Sequence, residues 1–105
     1  MQSVRFVGTP LARRRILAEN LLQAAQHSRL ELQNNGSWIQ LRDTQGPQVL
    51  LSVHAEERHS HALDCVHDLM KKLEVLSEEQ NPSMESLLPG LDKFLNAHPH
   101  HTIQL

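Results

Sequence analysis

The stretch that decides the fold spans residues 55–80 and reads AEERHSHALDCVHDLMKKLEVLSEEQ. Its apolar residues recur at intervals of three and four positions, which places them on one narrow face of an α-helix. These residues are Ala62, Val66, Leu69, Leu73 and Leu76. We therefore predict a helix over residues 55–80 whose apolar stripe covers the buried face of a sheet.

The sheet itself is predicted just before this helix, as a meander over residues 29–54. The first two segments, 29–33 and 37–43, alternate between apolar and polar residues, and the third, 48–54, is more apolar. Such runs are typical of β-strands. Asn34-Asn35-Gly36 separates the first two, and these residue types tolerate the positive φ of a tight hairpin turn.

Two more helices complete the predicted core. Thr9-Pro10 is a typical helix start and predicts a helix over residues 10–27. Ser83 is a candidate N-cap for a helix over residues 83–97, which Pro89-Gly90 should kink or split.

Together these elements predict an α+β fold. A small antiparallel sheet of three to four strands is packed by helices 10–27, 55–80 and 83–97. Residues 3–7 are a further strand candidate, and the tail after His98 either frays or forms a short closing strand.

Length and composition narrow the predicted domain number, partners and location. With 105 residues and a net charge of −2, the chain favours one domain over residues 1–105 and argues against general affinity for nucleic acid. The single cysteine excludes an internal disulfide. Because the sequence has neither a leader pattern nor an apolar run of about 18 residues, we expect a cytoplasmic protein without a membrane partner.

The first helix carries the strongest signal for an interface. Its apolar residues cover a broader arc than one packing face needs, so it should contact either two parts of its own domain or a partner. We take Leu17, Leu21 and Leu22 as the candidate contact residues on this helix.

Trp38 is the fourth candidate contact residue. It alternates away from Ile39 and Leu41, which places it on the outer face of the sheet, where an exposed Trp often anchors an interface. The alternative is an inverted register that makes Trp38 a core residue.

Arg13, Arg14 and Arg15 form a basic cluster in the first turns of the first helix. Cations there oppose the helix dipole, so local stability does not explain them. They suit an acidic partner or a phosphate. The alternative is a solvated rim in which Arg15 pairs with Glu19.

His61 and Cys65 are the candidate metal ligands, because residues four apart share one helix face and can grip one ion. A zinc site needs three or four ligands, and the rest would have to come from His98, His100 or His101 in the tail. The interpretation we favour is a structural cysteine with solvated histidines. On that interpretation the protein has no metal and no cofactor.

No catalytic signature is present, so we predict a non-enzymatic protein-binding module. It would act as a regulator, inhibitor or chaperone-like adaptor, with another protein or a second copy of itself as partner, most simply as a homodimer. The alternatives are a metal-binding protein that uses His61 and Cys65, and a nucleic-acid-binding regulator that uses the arginine cluster.

Overall fold

The computed structural model describes residues 10–46, 49–55 and 59–103, and this part of the chain forms three helices and four strands. Their order is α1 (Pro10–Gln26), β1 (Leu30–Asn35), β2 (Trp38–Asp43), β3 (Val49–His54), α2 (His59–Ser77), α3 (Met84–Ala97) and β4 (His101–Ile103). The predicted α+β class and the antiparallel meander are confirmed. The strand candidate at residues 3–7 lies outside the described residues.

The sheet has the strand order β1-β2-β3-β4, with every neighbouring pair antiparallel. Asn35 pairs with Trp38, so Gly36 and Ser37 form a two-residue hairpin connection. Gly36 has a φ of 61°, whereas Ser37 is not among the residues with positive φ. Positive φ at the first central residue alone is the type II′ pattern, which matches the strand twist and favours glycine.

One face of the sheet is buried and the other is not, as the alternation predicted. Ile39, Leu41, Leu51 and Val53 are all 1% exposed and belong to one hydrophobic core. A bulge interrupts the β2–β3 pairing, because Leu41 pairs with Leu51 but Arg42 pairs with Val49. Leu50 thus has no partner of its own in β2, and it is buried together with its neighbour.

The broad apolar arc of α1 is used within the chain. This helix contacts α2, α3, β1 and β3. Leu17 and Leu21 are fully buried and Leu22 nearly so, which makes all three core residues rather than a surface offered to a partner. The structure therefore corrects their assignment as contact residues: of the two explanations for the wide arc, contact with several parts of its own domain is the one observed.

The apolar stripe of α2 is buried as predicted, with all five of its residues at 6% exposure or less. Its main partners differ from the expectation. The helix with backbone neighbours in β1 and β3 is α1, whereas α2 lies chiefly against α1 and α3. No helix in the described residues is long and apolar enough to cross a membrane.

The last helix, α3, is continuous through Pro89, so the predicted split does not occur. Pro89 is exposed and has no backbone N–H, so the helix lacks one hydrogen-bond donor in its second turn. The helix nevertheless continues to Ala97. Ser83 does occupy the N-cap position in an extended conformation, but its side chain makes no capping hydrogen bond. After α3 the tail returns as β4 along β3, so of the two outcomes considered for the tail the closing strand is the one observed.

Candidate functional site

The start of α2 meets the end of α3, and three side chains of types that can bind a metal converge there. They are His61 and Cys65 on α2 and His98 at the C-cap of α3. The two helices run antiparallel, since Lys72, further along α2, lies against Gly90, earlier in α3. A metal site at His61 and Cys65 would need a further ligand from the tail, and the fold places His98 beside them.

The distances suit a shared ion. One ligand atom from each residue lies within 4.8 Å of the other two, and Cys65 Sγ is 3.7 Å from His61 Nε2. A tetrahedral zinc ion, with Zn–S of about 2.3 Å and Zn–N of about 2.0–2.1 Å, holds its sulfur and nitrogen ligands about 3.6 Å apart. The pair on α2 is therefore already spaced as in a zinc site, and the third ligand needs to approach by about 1 Å.

The position of His98 is fixed by the end of α3. Its backbone N–H donates to the carbonyls of Phe94 (3.1 Å) and Leu95 (3.3 Å). Pro99 follows, and a proline cannot continue the helix and disfavours helical geometry in the residue before it. His98 accordingly leaves the helix at φ −127° and ψ 78°. Its ring packs at 4.8 Å from the ring of Phe94 and is only 8% exposed.

A groove of about 420 Å³ between α2 and α3 gives access to the three ligands. The ligands differ in depth, with His61 exposed, Cys65 half-buried and His98 buried. Charged side chains of both signs also line the groove, namely Asp68, Lys72 and Lys93. The carboxylate favours a bound cation and the ammonium groups oppose it, so the attraction for a metal rests on the ligands themselves.

A second group of side chains lies on the outer sheet face. Trp38 is 41% exposed, which confirms its predicted outward orientation, and its ring centroid is 4.7 Å from that of His54. His54 Nε2 is hydrogen-bonded to Ser37 Oγ at 2.9 Å. The pairing of Trp38 with His54 across β2 and β3 holds the indole in a defined position.

The arginine cluster is largely engaged in contacts within the chain. Arg14 forms an ion pair with Asp92 at 3.2 Å and donates to Asn96 at 2.9 Å, so it joins α1 to α3. Arg15 pairs with Glu19 at 3.6 Å, as the alternative interpretation expected. Arg13 is exposed and lines a separate pocket beside β4. The cluster thus presents less uncommitted positive charge than three consecutive arginines suggest.

Sequence reasoning named two of the three convergent side chains as candidates, although it favoured no metal, and left the third among three histidines. The signal that selects His98 is the proline after it, because a helix that stops there presents its last side chain to the start of an antiparallel neighbour. His67, on the same helix as the other two ligands, is exposed and is not part of the convergent group.

Comparison of the chain with family models, curated proteins and solved structures found no match.

Proposed function

We propose that this protein binds a zinc ion through His61, Cys65 and His98. The observation that supports the proposal is the convergence of one thiol and two imidazoles, from two helices, to within 4.8 Å. Cys65 and His61 are four residues apart, but His98 lies more than thirty positions further along the chain. Local sequence therefore does not explain the grouping.

The donor set favours zinc among the common metals. Imidazole and thiolate are the usual ligands of Zn²⁺, whereas magnesium and calcium require oxygen ligands. Copper also accepts one sulfur and two nitrogens and is the competitor to test. Binding would require Cys65 as the thiolate and both histidines as neutral imidazoles, because only those forms donate a lone pair to the metal.

The test is zinc stoichiometry and affinity, measured on protein purified without a histidine tag. Elemental analysis of the protein as purified should find zinc rather than copper, and after removal of bound metal with a chelator, titration calorimetry with zinc chloride should give one equivalent. Cys65→Ser and His61→Ala should each weaken binding by about ten-fold or more, since each removes a ligand.

His67→Ala is the matched control, because His67 is an exposed histidine on the same helix outside the ligand group. It should bind zinc like the natural chain. Equal losses in the His67 and His61 variants, or no binding by the natural chain, would contradict the proposal.

The affinity should also depend on pH in a defined direction. Protons compete with the metal for the sulfur and the ring nitrogens, so binding weakens as the pH falls. The dissociation constant should therefore be larger at about pH 6 than at about pH 7.5. An affinity that stays constant over this interval would argue against thiolate and imidazole ligands.

A protein-binding function is the second candidate, supported by the exposed indole of Trp38. An aromatic side chain that is held by a neighbouring ring and still exposed is a common interface anchor. With the leucines of α1 in the core, the outer sheet face around Trp38 and His54 becomes the surface for the expected homodimer.

Size-exclusion chromatography with light scattering tests this candidate. The natural chain should be a dimer at micromolar concentration, and Trp38→Ala should shift it toward monomer. Val75→Ala is the control, because Val75 is also an exposed apolar residue, at 61%, but lies on α2 away from the sheet face. A natural chain that is strictly monomeric contradicts the dimer.

A further inference from the structure

We infer that zinc at His61, Cys65 and His98 holds the edge strand β4 on the sheet. The inference rests on the proposed function and adds a consequence of binding: the ion would control whether the outer edge of β3 is covered. It follows from where His98 stands in the chain, at the junction between α3 and β4.

Three short steps connect the site to the strand. His98 ends α3, and Pro99 restricts the backbone that follows it. The His100 carbonyl accepts a hydrogen bond from the His54 N–H at 2.9 Å, which is the first link between the tail and β3. The ring of His101 then donates from Nδ1 to the His98 carbonyl at 2.6 Å. The residue that would bind the ion therefore contacts the strand directly.

The strand β4 makes few contacts with the sheet. It is three residues long, and its pairs with β3 are Leu51↔Ile103, Ser52↔Thr102 and Val53↔His101. Among the described residues it is the last strand of the sheet and pairs with β3 alone. Short strands at the edge of a sheet open locally at low free-energy cost, well below that of global unfolding.

A bound ion would favour the paired state of β4 over the open one, because it would tie His98 to the start of α2. His61 and Cys65 belong to α2, whose apolar stripe is buried in the core, so they form a fixed anchor. Coordination of His98 to that anchor restricts the backbone from which β4 starts. The strand then loses less entropy when it pairs with β3. Without zinc, β3 would more often present an open edge, to which another strand can add.

Hydrogen exchange with and without zinc chloride tests the inference on the full chain. Zinc should slow exchange of the backbone amides of His54 and Thr102, which face the other strand in this register, by roughly ten-fold, a value typical of coupling between two sites. The opposite edge strand, β1, is the internal control, because it lies furthest from β4 in the strand order, and zinc should slow its exchange less than that of β4.

His61→Ala should abolish the effect of zinc on β4, and His67→Ala should retain it. The result that overturns the inference is binding of one zinc equivalent with no change in β4, or with equal slowing of β1 and β4, which would mean only general stabilisation. Failure to bind zinc in the calorimetric titration overturns the proposed function instead, so the two failures are distinguishable.

Discussion

Ser28 adopts a backbone conformation that normally requires glycine. It has a φ of 55° just after α1, where the Arg29 N–H donates to the Ala24 carbonyl (2.8 Å) and the Ser28 N–H donates to the Ala25 carbonyl (3.1 Å). These two bonds define a Schellman motif, whose left-handed residue is usually glycine. A side chain with a Cβ atom in that region costs about 1–2 kcal/mol.

Ser28→Gly should therefore stabilise the protein. Removing the Cβ relieves the steric cost, and part of that gain is offset because glycine is more flexible in the unfolded chain. We expect a net increase of roughly 0.5–1 kcal/mol in the free energy of unfolding, measured by urea denaturation. Ser28→Ala keeps the Cβ and should give no increase. A destabilised glycine variant would mean that the serine side chain supports the turn.

Within the helix α2, the buried Leu73 and the exposed Val75 allow the packing of the helix to be tested. Leu73 is fully buried in the apolar stripe, whereas Val75 is 61% exposed. Leu73→Ala should lower the free energy of unfolding by about 2–5 kcal/mol, because it removes buried methyl groups and leaves a cavity. Val75→Ala should change it by less than about 0.5 kcal/mol. Similar losses in both variants would contradict the packing described for α2.

The contact between α1 and α3 can be tested with neighbouring arginines. Arg14 is partly buried and bonds to both Asp92 and Asn96, whereas Arg15 makes only an exposed pair within its own helix. Arg14→Ala should cost about 1 kcal/mol through the lost bonds between helices, and Arg15→Ala should cost less than about 0.5 kcal/mol. Thermal unfolding of the two variants, side by side, measures the difference. A larger loss for Arg15 would contradict the assignment.

The periodic elements were predictable because local spacing determines which side chains share a face. The stripe of α2 and the hairpin at Gly36 follow from the helical period of 3.6 and from turn chemistry. The strand period of 2 left two registers for Trp38, and the structure shows the outward one. The role of the leucines in α1 was not predictable in this way. An apolar arc is the same whether it is covered by the chain or by a partner, and only the positions of α2 and α3 decide between them.

In the whole molecule, the tertiary fold brings together side chains that sequence spacing cannot relate. His61 and Cys65 share a helix face, so sequence identifies them as a pair. His98 joins them only because α2 and α3 run antiparallel and because Pro99 ends α3 beside the start of α2. The candidate site is thus a property of the tertiary fold. Two possible ligands on one helix do not predict a metal site until the position of the third residue is known.

Because the ligands lie on two elements, zinc should also stabilise the folded protein as a whole. An unfolded chain does not hold α2 and the end of α3 together, so the ion binds the native state preferentially. At a free zinc concentration about one hundred times the dissociation constant, mass action adds about 2.7 kcal/mol to the free energy of unfolding. The melting temperature of the natural chain should therefore rise with zinc and return to its starting value with a chelator. Cys65→Ser should lose the rise, and His67→Ala should keep it. An equal rise in the Cys65 variant would show that zinc stabilises the protein through other groups.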